Sequence, residues 1–134
     1  MTAATCTIGG GAVADAVRRK APRLVLGIGS GPLAKAVEAH FHALGWDVCR
    51  GESAADARRL AVRKRAAAVV LTTDALPESG LLSCAKLTAV GSGCRVVLVG
   101  PDCDRQSRYA RLAGAVSYLP DGVGVAAVAR AVVG

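Results

Sequence analysis

The chain has 134 residues, 52% of them hydrophobic, 20% charged and only 3% aromatic, and carries a formal net charge of +7 at pH 7. That length holds one domain with a single core, and that apolar fraction excludes an intrinsically disordered chain. No apolar run reaches the roughly 18 residues of a membrane span, and the N-terminus lacks the basic-then-apolar pattern of a secretory leader, so a cytoplasmic protein without membrane contact is expected.

Residues 1–22 contain Gly9-Gly10-Gly11, Arg18-Arg19-Lys20 and Pro22, and read as a basic, flexible extension ahead of a domain at 23–134. The first predicted strand is Arg23–Ile28, closed by Gly29-Ser30-Gly31, after which Pro32 opens a helix at no hydrogen-bonding cost. Leu33, Ala36, Val37, His40, Phe41 and Leu44 form one apolar stripe, and Gly45 ends it. A short second strand, Trp46–Cys49, precedes a helix that Ser53 and Asp56 cap and that runs to about Arg65. The third strand is Ala67–Thr73, and the loop 74–80 leads to a helix through Leu82, Ala85 and Ala89. The fourth strand is Arg95–Val99, and Pro101-Asp102-Cys103-Asp104 opens a helix that Gly114 stops. A fifth strand, Ala115–Leu119, and a helix from about Val123 complete the pattern.

Valine-rich strands alternating five times with alanine-rich helices predict an α/β fold: a five-stranded, doubly wound parallel sheet with helices on both faces. At this size the natural strand order is 2-1-3-4-5, the flavodoxin-like arrangement.

Candidate chemistry is sparse. The five cysteines (Cys6, Cys49, Cys84, Cys94 and Cys103) fall singly, which suits small buried hydrophobes better than disulfides or zinc. His40 and His42, two apart on a helix, point in nearly opposite directions and do not share a metal. The loop Gly27-Ile28-Gly29-Ser30-Gly31-Pro32 stands where nucleotide-binding folds cradle phosphate, so Gly27, Gly29, Ser30 and Gly31 are candidate anion ligands; Pro32 replaces the third glycine of the dinucleotide fingerprint. The strand ends also offer Thr73, Asp74, Asp102 and Asp121, but no histidine reaches them, so no enzyme and no cofactor are expected. Basic clusters at Arg18–Arg23 and Arg58–Arg65 leave open a DNA-associated role if the two act together, although no nucleic-acid-binding motif accompanies them. The last helix carries one charge in eleven residues, Val123–Val133, and so calls for a second surface to bury.

From Leu24 to Leu119 the chain resembles the receiver domain of two-component response regulators. The resemblance is carried by Ala43-Leu44-Gly45-Trp46-Asp47-Val48, by Leu71-Thr72-Thr73-Asp74-Ala75-Leu76-Pro77, and by Leu112-Ala113-Gly114-Ala115-Val116-Ser117-Tyr118-Leu119-Pro120. It implies a phosphorylation pocket in which most key positions have changed. Ile28 and Gly29 stand where two acids would hold a divalent cation, and Thr73 stands at the phosphoacceptor aspartate. Gly100 replaces the hydroxyl residue ending strand 4, Asp121 replaces the lysine after strand 5, and only the aromatic position, Tyr118, is kept. Asp74 is the neighbouring carboxylate, one residue out of register. A site built this way lacks the cations that phosphoryl transfer to a carboxylate requires. The resemblance therefore implies a pseudo-receiver, a phosphorylation-independent signalling module. Its contact face would comprise Arg105, Arg108, Arg111, Tyr118, Val125, Val128 and Val132, meeting a protein partner or a second copy.

Overall fold

The computed structural model describes residues 21–73 and 78–134, so residues 1–20 of the N-terminal extension, with Cys6, and Asp74 lie outside the described residues. The strands are β1 (Arg23–Gly27), β2 (Asp47–Arg50), β3 (Ala68–Thr72), β4 (Arg95–Gly100) and β5 (Ser117–Pro120). The helices are α1 (Pro32–Ala43), α2 (Ala54–Arg63), α3 (Gly80–Ala89), α4 (Asp104–Ala113) and α5 (Val125–Val133). All pairings are parallel and the order is β2-β1-β3-β4-β5, as expected from the alternation of strands and helices.

Side chains alternate across each strand, and this splits the core into two layers. Val25, Val69, Leu71, Val96 and Leu98 face α2, α3 and α4, where Ala57, Ala61, Leu87 and Ala110 meet them. Leu24, Leu26, Val70, Val97 and Val99 face α1 and α5, meeting Val37, Phe41, Val128 and Val132. Because both faces are covered, the central strands are apolar without interruption. Phe41 packs edge to face with Trp46, ring centroids 4.9 Å apart, on the α1 side of the core.

Element boundaries moved by a residue or two where local chemistry intervened. Ser53 Oγ accepts the Asp56 N–H at 3.0 Å, and Asp56 Oδ2 accepts the Glu52 N–H at 2.9 Å, so the expected cap is present with its return bond one residue earlier than in the usual box. The helix it opens ends at Arg63, because Arg65 adopts a φ of 53°, a left-handed conformation that cannot continue a right-handed helix. Ala115 and Val116 belong to the turn before β5 rather than to the strand.

The last helix requires a correction. Val128 and Val132 are fully buried against the sheet and are not part of a contact surface, while Val125 packs half-buried on the same core layer. In a helix with a single charged residue, spacing alone does not say which apolar stripe faces the sheet. The outward side carries Ala126, Arg130 and Val133.

Among the described residues no helix is long and apolar enough to cross a membrane.

Candidate functional site

In a doubly wound parallel sheet the loops leaving the C-terminal ends of the strands converge, and sites form there. Here they bring together Ile28 and Gly29 after β1, Thr73 after β3, Gly100 at the end of β4, and Tyr118 and Asp121 in and after β5. The backbone secures this convergence. Thr73 N–H donates to the Val99 carbonyl at 3.0 Å, and Asp121 N–H donates to the Gly100 carbonyl at 2.7 Å.

The centre of the arrangement is filled. Thr73 is buried, and the Tyr118 hydroxyl turns inward and donates to the Pro101 carbonyl. A methyl group on Gly100 would lie 2.7 Å from that hydroxyl and 3.0 Å from Thr73 Cγ2, and would overlap Thr73 Oγ1 outright. The absence of a side chain at Gly100 is thus what lets Thr73 and Tyr118 close over the end of β4. Burial pushes the Tyr118 phenol above its ordinary pKa, and the nearby Asp121 carboxylate pushes it the same way.

The residues at the expected cation position do not fit a metal. Ile28 and Gly29 supply no carboxylate, and among the described residues no three His, Cys, Asp or Glu side chains gather into a ligand set. Burial pushes the thiols of Cys84, which is buried, and Cys94, which is half-buried, up to about 11, and both stay protonated packing residues.

The glycine-rich loop divides into two parts. Gly27 is buried, and a Cβ on it would meet Leu71 Cδ2 at 2.7 Å and Ala57 Cβ at 2.8 Å. Its lack of a side chain lets α2 approach β1. Gly29, Ser30 and Gly31 are exposed. Gly29 and Ser30 share an open cleft of about 320 Å³ with Arg50, Gly51 and Glu52. Arg50 is drawn to Glu38 at 3.6 Å, and Glu52 brings negative charge to the cleft, so the loop offers little attraction to an anion.

A charged cluster beside this end of the sheet escaped sequence reasoning. Glu78 accepts from Arg58 Nε at 2.9 Å, from Lys86 Nζ at 2.7 Å and from Ser83 Oγ. The Arg58 guanidinium, with Lys86 and Ser83, outweighs the opposing burial and holds the Glu78 carboxyl at about 2. Arg58 therefore belongs to an internal ion pair between α2 and α3, not to a free basic patch. The signal available in the sequence was the spacing Glu78-Ser83-Lys86, but the partner on α2 lies 20 residues away.

On the α4 side, Arg105, Arg108 and Arg111 are exposed as expected. Tyr109 and Leu112 of the same helix are exposed with them, Leu112 at 84%. With Val116 they form the apolar part of this side, which the last helix was expected to supply.

Comparison with solved structures identifies the architecture. The receiver domain of NarL from Mycobacterium tuberculosis is 20% identical, with a TM-score of 0.73 over 85% of this chain and 98% of that one. A LuxR-family DNA-binding response regulator from Staphylococcus aureus is 14% identical, with a TM-score of 0.74 over 83% and 95%. A CheY-like receiver domain from Methanospirillum hungatei is 12% identical, with a TM-score of 0.74 over 83% and 90%. No family model and no curated protein sequence matches. The chain has the flavodoxin-like fold of response-regulator receivers.

Proposed function

We propose that this receiver-fold domain is a signalling module that works without phosphorylation, through protein contacts on its α4 side. The observation that carries the reading is the closed end of β4. Thr73 and the Tyr118 hydroxyl occupy the space above Gly100, and no carboxylate stands at Ile28 or Gly29. Phosphoryl transfer to a carboxylate crowds negative charge and needs a metal ion and a lysine to offset it. Asp121, at the lysine position, adds to the repulsion instead.

The contact surface in this reading is the outward face of α4 with the turn before β5. Arg105, Arg108 and Arg111 flank Leu112 and Tyr109, a basic rim around an apolar centre that suits a protein partner or a second copy.

Incubation of the full chain with acetyl phosphate, or with beryllofluoride, and Mg²⁺ tests the first half. No covalent adduct by intact mass and no NMR shifts around Thr73, Gly100 and Tyr118 are expected. A stoichiometric adduct, or saturable shifts at these residues, overturns the reading and makes Asp74 the acceptor to examine.

A further inference from the structure

Arg23 and the basic run Arg63-Lys64-Arg65, far apart in the sequence, meet at the opposite end of the sheet. Arg23 Nη1 donates to the Lys64 carbonyl at 3.0 Å, and the Ala67 N–H donates to the Arg23 carbonyl at 2.9 Å. These bonds tie the start of β1 to the turn between α2 and β3. Between them lies a cleft of about 360 Å³ lined by Ala21, Pro22, Arg23, Lys64, Arg65 and Ala67.

The cations at this pole are only partly neutralised. Arg23 pairs with Asp47 at 3.1 Å, but among the described residues no carboxylate lies within 4.0 Å of Arg63, Lys64 or Arg65. Arg63, in the last turn of α2, partly offsets the helix dipole; Lys64 and Arg65 lie past the helix end, where that account weakens. Arg65 holds the left-handed conformation that glycine normally supplies at such a position, yet presents an exposed guanidinium beside the cleft.

We propose that this pole binds the sugar–phosphate backbone of duplex nucleic acid, without reading bases. Arginine forks match phosphate oxygens bidentately, and a concave cationic surface retains a polyanion through counterion release. The cleft lining contains no aromatic ring for base stacking, which argues for duplex over single strands. Its apolar members, Ala21, Pro22 and Ala67, are too small to anchor in acyl chains, which argues against a lipid surface.

The test is fluorescence anisotropy of a labelled mixed-sequence duplex with the full chain, titrated between about 50 and about 200 mM salt. Affinity is expected to fall with a log–log slope of about −3 to −4, the release expected for about four phosphate contacts. The R63A/K64A/R65A variant should bind at least ~10-fold more weakly and flatten the slope by about 2 to 3, while R105A/R108A on α4 stays within ~2-fold of wild type. R65G removes one charge and relieves the left-handed strain, so weaker binding by a protein that melts no lower cannot be ascribed to unfolding. Absence of saturable binding at the low-salt end, or equal loss in both multiple variants, overturns the proposal. So does sedimentation with phosphatidylserine vesicles by a protein that ignores the duplex. None of these outcomes depends on whether the strand ends accept a phosphoryl group.

Discussion

Gly100 shows how one missing side chain organises the site. Adding a methyl there forces Thr73 or Tyr118 to move, and moving Tyr118 gives up its bond to the Pro101 carbonyl. Gly100→Ala should cost about 1–3 kcal/mol in denaturant unfolding, the usual price of overpacking. In a Thr73→Ala background, which removes Oγ1 and Cγ2 from the overlap, the same change should cost ~1 kcal/mol less. Equal costs in the two backgrounds would mean that the closure does not depend on Thr73. A hydroxyl residue at this position, as the receiver pattern implies, is incompatible with the inward Tyr118 for the same steric reason.

Between elements, the ion cluster at Glu78 joins α2 to α3. The Glu78 side chain is only 12% exposed and its partners reach it from both helices. Its carboxyl falls from an ordinary 4.5 to about 2 in the folded state. A depressed folded pKa means stabilisation that is fully present above pH 4.5 and is lost as pH falls toward 2. With screening by solvent the contribution is about 1–2 kcal/mol. Glu78→Gln should therefore lower stability at pH 7 and leave a smaller difference from wild type near pH 2, as followed by thermal melts across that range. A constant difference at both pH values would assign the loss to packing. A second tie between elements holds α5, where Arg95 Nε and Nη2 donate to the Val132 and Ala131 carbonyls at 3.2 and 3.3 Å. These bonds satisfy carbonyls at the helix end that otherwise lack a partner.

At the scale of the whole molecule, the two ends of the sheet carry different charge. Glu52, Asp56, Glu78, Asp102, Asp104 and Asp121 gather around the C-terminal ends of the strands, whereas Arg23, Arg63, Lys64 and Arg65 stand at the other end. The α4 side is separate from both, and its apolar centre gives the proposed contact face a direct test. If two copies meet there, sedimentation at high micromolar concentration should show a species heavier than the monomer, and Leu112→Glu should return it to monomer by burying a charge. A wild-type protein that remains monomeric removes self-association and leaves contact with a different protein.

Much of the fold was legible because it rests on period and punctuation. Ala68–Leu71 in β3 is buried and apolar without interruption, Ser53 caps its helix, and Gly114 stops another, all from local chemistry. That no carboxylate stands at Ile28 or Gly29 could likewise be read from residue identity once the strands were placed. The inward face of α5 could not, because Val125, Val128 and Val132 differ from their neighbours only in what they touch. Nor could the roles of Gly27 and Gly51: a Cβ on either would collide with Ala57, a residue on a different element.

Residue type and spacing by themselves determined the alternation of elements, the parallel sheet and its order, since hydrophobic period, caps and crossover handedness act over short stretches of chain. Tertiary structure alone decided that Thr73 and Tyr118 close over Gly100, that Arg58 is consumed by Glu78, and that Arg23 meets Lys64 and Arg65 at one cleft. Each is a contact between segments distant in sequence, and packing brings such segments together through the sum of many weak interactions that no local pattern encodes.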